Sequence, residues 1–236
     1  MSRPQPLSAR TALGRSPAFK EPRLLGNWVL WLEQRPQEKG RTTALIRPWG
    51  QPDITPQELT PAPTNLRCRI HEYGGGPLSA AANGDELLLI WVDDQDRCLW
   101  QQSWQGLLSP QPTALTAASA PTRLTAPGTG SLGGGVIDLQ RQRWLGVLER
   151  DERDHLVSAA LNRSDQEPLV LHSAADFAGY PAISADAQQL AWVEWQQPAM
   201  PWDASELHCA SIDTQGQLGN HHTCLLYTSD AADDLR

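Results

Sequence analysis

The 236-residue chain carries 19 basic and 27 acidic residues, a net charge of −8, so it lacks the basic footprint selected by nucleic acid or an anionic membrane surface. Its longest strongly apolar run, Leu87–Val92, is far short of the ~20 residues that span a bilayer. Met1–Arg15 holds no apolar signal-peptide core, and Cys68, Cys98, Cys209 and Cys224 show no C-x-x-C spacing, which together point to a reduced, cytoplasmic chain. In chain order, four segments then repeat one layout: an apolar strand bearing Trp, a polar loop, and a second strand. They are Trp28–Glu33 with Arg41–Arg47, Leu87–Val92 with Arg97–Ser103, Trp144–Glu149 with His155–Leu161, and Leu190–Trp195 with Ser205–Ile212. Weaker strands are expected at Pro77–Ala81, Thr122–Leu124, Val136–Leu139, Leu169–His172 and Tyr180–Ile183. No stretch of 15 residues has helical apolar spacing with a cap at each end.

The units start at 28, 87, 144 and 190. That spacing lies near the ~40–50 residues of a propeller blade, and about four strands per repeat is the size of one blade. The fold expected is therefore all-β, an incomplete β-propeller of about four blades; a β-sandwich with coincidental spacing is the other reading. The chain has 10 Trp against 3 Tyr and 2 Phe. Trp31, Trp91, Trp144, Trp192 and Trp100 are expected as flat fillers of the wedge between blades. Residues 1–20 read as an N-terminal extension and 21–223 as the partial propeller. Residues 224–236 begin CLLYTSDAADD, which matches one translated frame of a common transposase-type sequencing adapter. They are read as a non-native scar, a genuine acidic tail being the alternative; without them the charge is −6.

The most distinctive run is His71-Glu72-Tyr73-Gly74-Gly75-Gly76, preceded by Arg67 and Arg69 on one strand face. Charged and aromatic side chains lead into a glycine turn where backbone can approach a partner closely. This is either a channel or domain-interface site for a peptide or a blade connector with His71 and Glu72 buried in hydrogen bonds. The loop Pro198–Asp203, with Trp202 and Asp203, either faces a partner domain or packs down. Ser184–Trp192 reads as a hairpin whose turn is held by Asp186 and loosened by Ala185 and Ala187. Asp93, Asp94 and Asp96 lack the Gly and Glu of an EF-hand loop, so no metal site or cofactor is expected. Gly133–Gly135 opens no helix and is not a phosphate loop, and no G-x-S-x-G is present, so no catalytic residue is assigned.

Trp31-Leu32-Glu33…Arg35-Pro36…Glu38…Gly40-Arg41 resembles the W-L-E-x-R-P-x-E-x-G-R segment of bacterial acylaminoacyl-peptidase and dipeptidyl-aminopeptidase-like enzymes, members of the prolyl oligopeptidase family of serine peptidases. The resemblance continues through Arg67–Gly76, Asp96–Trp100, Ala175-Asp176-Phe177, the Ser184–Trp192 hairpin and Pro198–Asp203, and spans roughly residues 20–215. It departs from the family pattern at Cys68, Ile70, Ala185 and Ala187. It implies a typically seven-bladed propeller joined to a C-terminal α/β-hydrolase domain bearing a Ser-Asp-His triad, which this chain lacks. The expected role is a substrate gate, with peptide and hydrolase domain as partners and no activity in the chain itself. A free-standing peptide- or protein-binding scaffold is the alternative, and a secreted sugar-binding propeller is disfavoured. The continuation of the reading frame past residue 223 separates the first two.

Overall fold

A computed structural model describes residues 16–110 and 113–228. Among these residues the regular structure is seventeen strands and one short 3-10 turn, in two compact units divided between Asn65 and Leu66.

The first unit is one antiparallel meander: β1 (Ala18–Leu25), β2 (Trp28–Arg35), β3 (Arg41–Pro48) and β4 (Gln57–Glu58), hydrogen-bonded in that order. Trp28, Leu30 and Leu32 alternate along β2 and are buried, as period-two side chains of one face must be. Trp31 belongs to the opposite face and is only half-buried, so the expectation of a core Trp there shifts to Trp28. β1 begins at Ala18, so the paired sheet takes in the last residues of the segment assigned to an N-terminal extension.

The family-like run around residue 35 is an ion-pair network at the β2–β3 hairpin. Arg35 reaches Glu33 at 2.7 Å and Glu58 at 3.1 Å, and Arg41 reaches Glu58 at 2.6 Å and the carbonyls of Thr60 and Thr64. Burial works against the charge of Glu58, but hydrogen bonds from Arg41, Thr43 and Arg35 outweigh it and hold the carboxyl below its ordinary range. A two-residue strand of half-buried side chains, β4 is tied to the hairpin through the charge of Glu58.

The second unit holds three further meanders. The first contains β5 (Leu78–Asn83), β6 (Glu86–Val92) and β7 (Leu99–Gln105), with β8 (Thr116–Ala117) and β9 (Thr122–Arg123) both pairing β7. The second contains β10 (Ser131–Asp138), β11 (Arg143–Arg150), β12 (Arg153–Ala160) and β13 (Leu169–Ser173). The third contains β14 (Phe177–Ile183), β15 (Gln189–Trp195), β16 (Ala204–Ile212) and β17 (Leu218–Thr228). The inner strand β10 packs beside β5 and β14, the blade-on-blade arrangement of a propeller.

Strand β11 is buried on both faces and shows how the wedges fill. Its even positions Trp144 and Leu148 pack with Ile90, Val92 and Leu99 of the preceding sheet. Its odd positions Leu145 and Val147 pack with Leu190, Trp192 and Ala210 of the following one. Near-continuous apolar sequence is the signature of such a strand. Trp100, by contrast, is only half-buried: its Nε1 donates to Asp96 and Arg123 lies over its ring at 5.9 Å.

Polar latches also tie these sheets together. Buried Asp138 accepts from Arg143 Nε at 3.0 Å and Arg141 Nη1 at 3.2 Å, while the two guanidiniums reach across to the carbonyls of Gly216 and Ala187. The Ser184–Trp192 hairpin is not loose. Ser184 and Gln189 pair, the Ala187 N–H donates to the Ser184 carbonyl, and Asp186 accepts from Ser184 Oγ and Gln188 N–H. Ala187 sits at φ 53°, a left-handed position that glycine fills at less cost, and the turn's own hydrogen bonds hold it there. The stretch Cys224–Thr228, part of the segment read as a scar, runs as the outer half of β17, paired from Leu225 to Thr228 with Leu207 to Ala204 and exposed throughout. Residues 229–236 lie outside the described residues.

Three imidazoles gather about Trp192 between the last two sheets. His172, His208 and His221 lie 5.2, 5.6 and 5.0 Å from its ring, and Glu194 accepts from both Trp192 Nε1 and His172 Nε2 at 2.6 Å. Desolvation, then the neighbouring rings of His172 and His208, push His221 below the ordinary imidazole range. Burial opposes the charge of Glu194, but the His172 and Trp192 hydrogen bonds prevail and lower its pKa. Both depressed groups bind protons more readily unfolded than folded. Stability is therefore fully present above pH 6.5, the ordinary value for His221, and falls as pH drops below it, with a second loss below 4.5, the ordinary value for Glu194. Thermal melts between pH 8 and 4 should show the midpoint falling in that order, and His221→Gln should remove the upper step; a midpoint rising on acidification would contradict the cluster.

Candidate functional site

Two segments far apart in sequence close on one cavity of about 440 Å³ within the second unit. The 71–76 run supplies His71, Tyr73 and three glycines, and the loop before β16 supplies Met200, Pro201 and Trp202. Between them stand Tyr180 and Trp195 of the last sheet.

The 67–76 run is not a strand. Leu66 makes a single bridge to Asp93, after which the chain is extended, with Leu66, Cys68 and Ile70 buried and Arg67 and Arg69 turned outward together. The turn beyond it is tight. His71 and Glu72 take φ of 53° and 65°, the Tyr73 N–H donates to the His71 carbonyl, and the Gly74 N–H donates to the Ile70 carbonyl. A Cβ on Gly74 would lie 2.5 Å from the Cys68 carbonyl oxygen, and one on Gly76 2.7 Å from Gly134 Cα. Glycine is required at both positions, because backbone packs on backbone there.

The β11–β12 hairpin holds His71 in this strained turn. Its two-residue tip, Asp151-Glu152, has φ of 55° and 62°, the geometry of a tight primed turn. Glu149 accepts the His71 main-chain N–H at 2.7 Å, and Asp154, directly opposite Glu149 in the ladder, accepts from the imidazole Nε2 at 2.6 Å. Asp154 is fully buried and takes the Ala178 N–H on the same oxygen at 2.8 Å. A carboxylate only accepts, so the imidazole proton sits on Nε2. The other face of the ring is aromatic: Phe177 and Trp195, stacked on one another, meet it edge-on at 5.3 and 5.4 Å.

The structure thus brings His71, Tyr73 and Trp202 together at the cavity. Arg67 and Glu72 are exposed away from its lining, Arg69 pairs with Asp94 at 2.7 Å, and Asp203 closes its own loop by accepting the Met200 N–H. Glu72 is not buried in hydrogen bonds as a connector would need, because its left-handed backbone turns it to solvent. Sequence reasoning missed Asp154, which sits in what reads as a solvated loop, and Tyr180, whose outward aim comes from a bulge.

None of the described residues lining the cavity is Ser, Thr, Cys or Lys; its polar side chains are those of His71, Tyr73, Tyr180, Trp195 and Trp202. Cys98, buried elsewhere, has its thiol pushed up to about 11 by burial and then by Asp96, the opposite of an activated cysteine. Among the described residues no group of three or more His, Cys, Asp or Glu is placed to hold a metal ion, and no helix is long and apolar enough to cross a membrane.

No protein-family model and no curated protein matches the sequence. Solved structures do match. Over 95% of its length the chain is similar to a puromycin-hydrolyzing peptidase from Mycobacterium tuberculosis, with 26% identity and a TM-score of 0.78, covering 33% of that chain. A puromycin hydrolase complexed with PGG matches over 97% of this chain and 35% of its own, at 24% identity and a TM-score of 0.76. A prolyl endopeptidase matches over 89% and 28%, at 12% identity and a TM-score of 0.53. The chain spans about a third of the length of these structures. Its structural neighbours include puromycin-hydrolysing peptidases and prolyl endopeptidases, each matched over about a third of its own length.

Proposed function

We propose that this chain is the N-terminal propeller portion of a cytosolic serine peptidase of the prolyl oligopeptidase family. It admits short peptides to a catalytic domain outside this chain and excludes folded proteins. The observation that carries the reading is the match of 95% of the chain to one third of a puromycin-hydrolyzing peptidase. Two features of the chain support it. Among the described residues the regular structure is strands in meanders of blade type with one short 3-10 turn, and an apolar cavity of about 440 Å³ opens on the second unit's surface. In such a peptidase a serine would attack the peptide carbonyl, a histidine would take its proton and an aspartate would orient the histidine. This chain would contribute the surface past which the peptide moves, its partners being the peptide and the hydrolase domain. No cofactor is required for that chemistry.

The purified 236-residue chain should hydrolyse neither aminoacyl nor acyl-peptide chromogenic substrates. Turnover of either, surviving repurification and proportional to chain concentration, would overturn the assignment.

A further inference from the structure

We infer that the cavity between the 71–76 turn and the Met200–Trp202 loop is a recognition site for an aromatic side chain of an extended peptide. The inference deepens the proposed function and rests on its reading of this wall as peptide-facing. Three observations point to a built site. The first is the mouth. Tyr73, Tyr180 and Trp202 are 73%, 75% and 63% exposed, three of the most exposed aromatic rings among the described residues, and all three border one cavity. Solvated rings set around a concavity offer flat faces to a flat ligand.

The second is the backbone that places them. β10 and β14 each carry a register shift, between Gly133 and Val136 and between Gly179 and Ala182. Both open on the cavity, through Gly134 and through Gly179 and Tyr180. Tyr180 takes φ 57°, an unfavourable conformation for a bulky residue, and it does so where the bulge turns its ring outward. Bulges and left-handed bulky residues re-aim side chains at sites of use.

The third is charge. Among the described residues the lining holds no Arg, Lys, Asp or Glu, and the imidazole Nε2–H of His71 already donates to Asp154. A charged side chain would lose its hydration with nothing to replace it. An uncharged ring fits, and a volume of about 440 Å³ exceeds that of one aromatic side chain, leaving room for part of the main chain that carries it.

The test is calorimetric titration of the 236-residue chain with three capped tripeptide amides, N-acetyl-Gly-X-Gly-amide with X as Phe, Leu or Lys. The Phe peptide should bind about tenfold more tightly than the Lys peptide and severalfold more tightly than the Leu peptide. Trp202→Ala and Tyr180→Ala, both at exposed positions, should each weaken the Phe peptide about tenfold while melting as the parent chain does. Equal affinity for the three peptides, or Phe affinity unchanged in both variants, overturns the aromatic assignment and leaves the peptide-facing wall standing. Absence of binding by all three overturns that wall and the assignment with it.

Discussion

Gly146→Ala should be among the most destabilising single-methyl changes in this chain, lowering stability by about 3 kcal/mol or more. Trp144, 1% exposed, lies with its indole flat over two glycines. A Cβ built on Gly146 falls 2.1 Å from Trp144 Cη2, and one on Gly135 falls 2.1 Å from Cε2. Neither distance is tolerable, and the ring cannot slide away. Its Nε1 donates to Ser79 Oγ at 3.1 Å, Ser79 Oγ donates to the Gly135 carbonyl at 2.7 Å, and Leu132, Leu148 and Val157 belong to the same buried cluster. A methyl group must therefore evict the indole from its slot. The cost approaches that of deleting a buried Trp, about 3–5 kcal/mol, with the Ser79 hydrogen bond lost as well. Thermal unfolding should shift by roughly 10 °C for a chain of this size. In the background Trp144→Leu the same Gly146→Ala change should cost far less, because the ring it strikes is gone; that non-additivity is the specific signature of the slot. Equal costs in the two backgrounds would show that Gly146 matters for its backbone alone.

The slot also shows where the sequence stops speaking. Gly133–Gly135 is conspicuous as a glycine run, and elimination disposes of a phosphate loop, but nothing in one dimension says which side chain needs the room. The four Trp-bearing strands were legible by two signals: burial on both faces leaves continuous apolar runs in β6 and β11, and burial of one face leaves alternation in β2 and β15. β1 and β17 were not, and for the opposite reason. Their side chains are almost all exposed or only half-buried, so these strands exist through ladder pairing with β2 and β16 and leave no hydrophobic signature. The cavity was half legible. The 71–76 run and the Pro198–Asp203 loop stand out by composition, and the fold brings His71, Tyr73 and Trp202 together. Asp154 was invisible, because Arg150–Asp154 has the composition of a solvated tip. Only the two-residue turn at Asp151-Glu152 puts residue 154 back inside the sheet.

Asp154 carries the second large expectation. Asp154→Ala should cost about 3 kcal/mol, since it strips the acceptor from two donors, the Ala178 N–H and His71 Nε2–H, each worth about 1–3 kcal/mol when left buried and unpaired. Asp154→Asn should recover about half, because its amide oxygen still accepts from one of them. Asp154 is itself poorly served: Oδ1 is buried with no hydrogen-bond partner among the described residues. A half-satisfied buried carboxyl is a costly way to stabilise a fold. The pair Asp154→Leu with His71→Phe should accordingly be more stable than Asp154→Ala, recovering at least half of the loss. If the arrangement serves to hold the imidazole at the cavity rather than to stabilise the sheet, that double variant should regain stability without regaining affinity for the Phe tripeptide. Measured together, unfolding and titration separate the two roles. Affinity that returns with stability would make Asp154 a structural acceptor and His71 a filler of the turn. Stability without affinity would make the hairpin of β11 and β12 the element that aims His71 at a ligand.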